Sequence, residues 1–217
     1  MKILVILLLI FSILGGIGFG VYYTNNGPKD VYDIAESSKP TKITTEVSYV
    51  TFDGDSLTGF YVTKIHGNDT VFEYTYDRLR TPAEAVAEGT TDRIKTVSGV
   101  IYYHDGVFSS GDGGEWTPGA GAAFDLKLDL NERLLKDVEV SEDGNTVTAK
   151  LTAENAVKVI GTDLNAIDDI GIIIETNGIN LTMVTITADT ELGTLTIRTS
   201  YTYNDLGELF PETTLGE

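Results

Sequence analysis

The chain contains no cysteine, only two histidines and a single tryptophan. Without cysteine it cannot form disulfides, thiolate nucleophiles, or cysteine-ligated zinc and iron–sulfur sites. His66 and His104 both lie in predicted turns beside glycine and aspartate, and neither belongs to a metal-binding spacing such as HExxH. The sequence also has no serine nucleophile elbow. The composition therefore favours a function other than catalysis, without a bound cofactor or metal.

Basic side chains are scarce as well, with 15 against 33 acidic ones and a formal net charge of −18. Duplex nucleic acid is bound through lysine and arginine that neutralise phosphates, so we expect no nucleic-acid partner. Acidic turns such as Asp53-Gly54-Asp55 carry oxygens that could bind calcium, but none continues into the EF-hand spacing. Because aspartate and glycine are also the residues that hairpin turns require, we interpret these segments as turns and keep calcium binding as the alternative.

An uncharged hydrophobic segment spans residues 3–23 and follows Lys2. Its 21 residues would form a helix of about 31 Å, close to the thickness of the bilayer hydrocarbon. Tyr22 and Tyr23 suit the aromatic belt at a membrane interface. We predict a signal anchor at 1–23, a linker at 24–29, and the remaining chain outside the cytoplasm. A cleaved signal peptide, whose apolar region is usually shorter, is the alternative.

From Thr41 onward the apolar residues alternate with a period of two, which predicts β-strands. Turns rich in glycine, aspartate and asparagine separate the strands, as in antiparallel meanders. Capping residues and proline predict short helices. The predicted helices span 30–39, 81–88, 124–135 and 152–160. We therefore expect one mainly β domain (α+β) at 30–205, followed by an acidic tail at 206–217.

The order of these elements resembles a known superfamily. A strand reads Val100-Ile101-Tyr102-Tyr103, a loop Gly113-Gly114-Glu115-Trp116 follows, and a hairpin, a short helix at 153–161 and long paired strands complete the chain. This order resembles the LolA-like exported lipoprotein carriers, which include mycobacterial cell-wall lipoproteins. The resemblance implies a strongly curved antiparallel sheet, an unclosed barrel, with short helices on its concave side. It also implies hydrophobic cargo held between sheet and helices, although this chain lacks a lipidated cysteine.

We therefore expect a membrane-tethered extracytoplasmic protein that binds a lipid or another hydrophobic ligand. The residues expected to contact it are aromatic: Tyr61, Phe72, Tyr74, Tyr102, Phe108, Trp116 and Tyr201. The alternative is that these aromatics form an ordinary core. The chain would then be a structural or protein-interaction component of a cell or virion surface, meeting its partner at a sheet edge or the Trp116 loop. Asn68 begins an Asn-Asp-Thr triplet that matches the acceptor pattern for glycosylation.

The tether can be tested by membrane extraction. Because about 20 apolar residues suffice to span a bilayer, the full-length chain should stay in membranes washed at alkaline pH. A variant without residues 3–23 should become soluble. Protease added outside intact cells should remove a C-terminal epitope, and an epitope protected from that protease would contradict the predicted orientation.

Overall fold

A computed structural model describes residues 31–67, 69–104, 107–110, 117–118, 132–160 and 164–204. The strands are β1 (Lys42–Thr51), β2 (Ser56–His66), β3 (Asp69–Leu79), β4 (Ile94–His104), β5 (Val107–Ser110), β6 (Thr117–Pro118), β7 (Lys136–Val140), β8 (Thr146–Leu151), β9 (Ile170–Thr176), β10 (Leu181–Thr190) and β11 (Gly193–Thr202). The α-helices are α1 (Val31–Ser37), α2 (Pro82–Glu88) and α3 (Ala153–Ile160). The predicted mainly β architecture is thus confirmed for this part of the chain.

All eleven strands belong to one antiparallel sheet, in the order β6-β5-β4-β3-β2-β1-β11-β10-β9-β8-β7. The sheet consists of two meanders, one formed by β1 to β6 and the other by β7 to β11. They are joined where β1 pairs with β11, in a register that runs from Lys42 opposite Thr202 to Thr51 opposite Gly193. Strands β6 and β7 lie at the two edges, so the sheet is open, as expected.

The predicted helices at 30–39, 81–88 and 152–160 are confirmed to within two residues at each end. In α2, Thr81 and Glu84 form a reciprocal capping box, in which the Glu84 amide donates to Thr81 Oγ1 at 3.2 Å. None of the α2 residues is buried. Ion pairs link the helix to the sheet instead. The Arg78 guanidinium donates two hydrogen bonds to the Glu84 carboxylate, and this keeps the pKa of that carboxyl below its usual range.

Four predicted segments lie largely or wholly outside the described residues. The predicted helix at 124–135 is described only at its end, where Glu132–Leu134 forms one 3₁₀ turn. The predicted anchor at 1–23, the linker at 24–29 and the tail at 206–217 lie outside altogether. From Val31 onward, the helices of the described chain are all too short or too polar to cross a membrane.

One face of the sheet is apolar, and we call it the inner face. Alternate residues of the central strands point to it, as the burial patterns of β1 and β9 show. Helices α1 and α3 add Val31, Ala35, Ala156 and Val159 to the same buried cluster. Burying a large apolar side chain contributes about 1.5–3 kcal/mol, so this cluster is the main source of stability. The opposite, outer face carries mainly threonine, serine and charged residues, with apolar side chains on β2 and β3 that include the buried Val62 and Val71.

Gly193 lies where the two meanders meet, and it provides a test of that junction. Its φ of 154° is unfavourable for other residues, and an added Cβ would collide with Val50 O and lie 2.7 Å from Thr51 Cα. Overpacking and backbone strain each cost about 1–3 kcal/mol, so Gly193→Ala should lower the free energy of unfolding by roughly 3 kcal/mol.

The matched control is Gly54→Ala in the neighbouring β1–β2 turn. Gly54 has a φ of 86°, but an added Cβ meets no atom within 4 Å, so only the strain of about 1–2 kcal/mol applies. Urea denaturation of both variants measures the difference. Equal losses would refute the close approach of β1 and β11 at this point.

Candidate functional site

Four aromatic side chains form a continuous cluster on the inner face, which we call the aromatic platform: Tyr61, Phe72, Tyr74 and Tyr76. Strand β2 carries the first and β3 the other three, and the register places Tyr61 opposite Tyr74. Ring centroids are 6.3 Å apart for Tyr61 and Phe72, 5.9 Å for Phe72 and Tyr74, and 6.1 Å for Tyr74 and Tyr76. These spacings are those of interacting aromatic pairs.

Two glycines make room for the rings. A Cβ added at Gly59 would lie 2.7 Å from Tyr61 Cε2, and one at Gly99 would lie 2.6 Å from Tyr74 Cζ. Tyr74 lies over Gly99 of the neighbouring strand β4, whereas Tyr61 lies over Gly59 of its own strand β2. Strand glycines often mark such close approaches. The two tyrosine rings therefore lie against the backbone of the sheet at these glycines.

The platform has a buried part and a half-buried margin. Tyr61 and Phe72 are each only 1% exposed, whereas Tyr74, Tyr76 and Ile101 are half-buried. Helices α1 and α3 contact β8, β9 and β10, on the other half of the sheet. The half-buried margin therefore lies along β3 and β4, away from the strands that these two helices cover.

The structure brings together three of the seven residues expected to bind the ligand, namely Tyr61, Phe72 and Tyr74. Tyr201 also lies on the inner face, where it is buried opposite Ile43 of β1. Tyr102, which was expected to contact the same ligand, does not share this face. It pairs with Val71, and the alternation of β3 directs that position to the outer face.

The remaining expected residues are described only in part. Phe108 lies in β5, where the register pairs it with Tyr103. Trp116 and Asn68 lie outside the described residues. Two residues of the margin were not among the expected contacts, Tyr76 and Ile101. Period-two alternation places Tyr76 on the face of Tyr74, whereas only the register, which sets Ile101 opposite Phe72, identifies the second.

The outer face has different chemistry. A groove of about 460 Å³ there is lined by residues that include Phe60, Val62, Glu73 and Val100. Glu73 accepts a hydrogen bond from Lys64 Nζ at 2.6 Å, so this acid is already paired within the sheet. The groove thus combines apolar side chains with a paired acid, whereas the inner-face platform is aromatic.

The sequence matches no protein-family model and no curated protein. Over the described ranges, no three histidine, aspartate or glutamate side chains come together as potential metal ligands. The inner face offers apolar contact instead, because its members are mainly aromatic and aliphatic side chains.

Burial of Tyr61 and Tyr201 predicts a loss of stability at alkaline pH. Burial raises the pKa of both phenols above the usual 10.0, so the folded state favours the neutral form. The free energy of unfolding should keep its full value below about pH 10. Above that pH these two tyrosines ionise in the unfolded chain, so the free energy of unfolding should fall by roughly 1.4 kcal/mol per pH unit for each residue.

Urea denaturation at about pH 9 and pH 11 measures this loss. The double variant Tyr61→Phe/Tyr201→Phe lacks both phenols and should lose less stability over that interval than the natural chain. Absorbance at 295 nm reports ionisation directly. Ionisation of every tyrosine at pH 11 in the still-folded chain would be inconsistent with the burial of these two hydroxyls.

Proposed function

We propose that this chain is a membrane-tethered extracytoplasmic protein that binds a lipid or another hydrophobic ligand on the inner face of its sheet. The observation that supports this most strongly is the margin of the aromatic platform. There, Tyr74, Tyr76 and Ile101 remain half-buried, next to fully buried Tyr61 and Phe72. A half-exposed aromatic surface continuous with the core is the kind of surface that an apolar ligand would complete.

The proposal includes a strongly curved sheet whose concave side holds the helices and the ligand. Twisted open sheets of more than about ten strands curl, split or flatten, and this one has eleven. Helices α1 and α3 pack on the apolar face alone. Curvature toward that face would bring the helices of one half closer to the platform of the other, as the resemblance to LolA-like carriers implies.

Contact area would supply the binding energy. Removing apolar surface from water is worth about 25 cal/mol per Å², or about 0.8 kcal/mol for each methylene group, before the cost of ordering the ligand. Tyrosine suits such a surface because its rigid ring provides a large contact area and loses little conformational entropy on binding.

The proposed tether would keep the domain near a source of such ligands. Fully extended, the six residues of the 24–29 linker reach only about 20 Å. The net charge of −18 would at the same time keep the domain soluble and separate from anionic headgroups.

The alternative is that a protein partner binds at a sheet edge, and the edge strand β7 supports it less well. This edge strand exposes Val138 and Val140. However, Asp137 has a φ of 49°, and the pairing with β8 shifts register between Lys136 and Glu139. Such bulges make an edge a poor template for an added strand.

A diazirine-labelled fatty acid tests the proposal in membranes that contain the full-length chain. After irradiation, the label should be found on β3 and β4, at Tyr74, Tyr76 or Ile101. Tyr76→Ser should lower labelling about tenfold, because a lost aromatic contact of about 1.4 kcal/mol changes affinity by that factor.

Tyr102→Ser is the matched control, since it removes a half-buried tyrosine from the outer face of the same region. It should leave labelling unchanged. Labelling confined to residues 3–23, or equally reduced in both variants, would contradict binding on the inner face.

A further inference from the structure

Exposed apolar side chains gather at one end of the sheet, where the β1–β2 turn, the β10–β11 turn and the loop before β9 meet. Phe52 is 72% exposed, Ile167 56%, Val50 50% and Leu192 37%. The Phe52 amide donates to Leu192 O at 3.0 Å, and the Ile167 amide donates to Asp189 O at 2.9 Å. These four apolar residues therefore belong to adjoining segments, which we call the Phe52 end.

The turns that carry these residues are held in place. The Asp55 amide donates to Thr51 Oγ1 at 3.0 Å across the β1–β2 turn. In the β10–β11 turn, Thr190 Oγ1 donates to Gly193 O at 2.9 Å and lies 2.8 Å from the Tyr49 hydroxyl. A preformed surface loses little conformational entropy when a partner binds, and this raises the affinity that a given contact area provides.

Acidic residues flank these apolar side chains in the same segments. Asp53, Asp168, Asp189 and Glu191 are all exposed here. Asp55 is paired with the Arg93 guanidinium at 2.9 Å. Like charges would repel both an anionic lipid surface and a second copy of the same end, whereas a cationic partner would be attracted.

We propose that the Phe52 end docks a protein partner whose surface presents apolar side chains ringed by lysine and arginine. Phe52 is the anchor, since it is the most exposed of the four apolar side chains and aromatic residues are enriched in the cores of interfaces. The acidic rim selects the partner and accelerates the encounter. This site is independent of the inner face, because its members lie on turns and on the outer side of β1.

Short peptides of defined sequence test the proposal on the full-length chain in neutral detergent. The first peptide alternates lysine with phenylalanine and leucine, and the second carries glutamate in place of lysine. The lysine peptide should bind and the glutamate peptide should not. Phe52→Ser should weaken the lysine peptide about tenfold, while Phe52→Leu should retain most of the affinity and Asp53→Asn should reduce its dependence on salt.

Ile179→Ser is the matched control, because Ile179 is 73% exposed in the β9–β10 turn at the opposite end of the sheet. It should not change binding. Equal binding by Phe52→Ser and Ile179→Ser would overturn the proposal, and so would failure of the lysine peptide to bind. A Phe52→Trp reporter that shifts to the blue with neutral vesicles would identify a lipid surface as the occupant and would also overturn it.

Discussion

The pairing of β1 with β11 is the interaction on which the rest of the structure depends. It joins strands about 150 residues apart in sequence and runs without a break over ten residue pairs. Side chains add to the backbone ladder, since Thr45 Oγ1 lies 3.0 Å from Thr199 Oγ1. Among the described strands, this pairing alone merges the two meanders into one sheet, and it makes the inner face continuous from Phe72 to Ile172. Such non-local pairing also predicts slow folding, because loop closure precedes the gain from contacts.

The two halves of the inner face differ as a result of this arrangement. The half formed by β8, β9 and β10 receives α1 and α3 and is closed by them. At the α1 end, Ser38 Oγ accepts a hydrogen bond from the Leu181 amide at 2.7 Å and donates to Ile34 O at the same distance. The other half presents aromatics whose rings lie over glycines. The first half provides stability, and the second provides the surface that we propose for ligand binding.

Sequence patterns predicted what is local. In β2, Leu57 and Tyr61 lie on the inner face and Phe60 lies on the outer face, as the period-two pattern predicts. The capping box of α2 was likewise readable, because its partners are three residues apart. Faces could not be assigned where both neighbours are aromatic: Tyr102 and Tyr103 differ only through their partners across β3. The pairing of β1 with β11 and the exposure of Phe52 depend on residues distant in sequence, so no local pattern indicates them.

Amide hydrogen exchange on the full-length chain tests the central claim most directly. If β1 and β11 join the two meanders, their amides should be the slowest to exchange and should open only with global unfolding. The edge strand β7 should exchange much faster, since it is paired on one side only. Exchange of β1 and β11 as fast as that of β7 would contradict the account, because the two meanders would then open independently and share no common inner face.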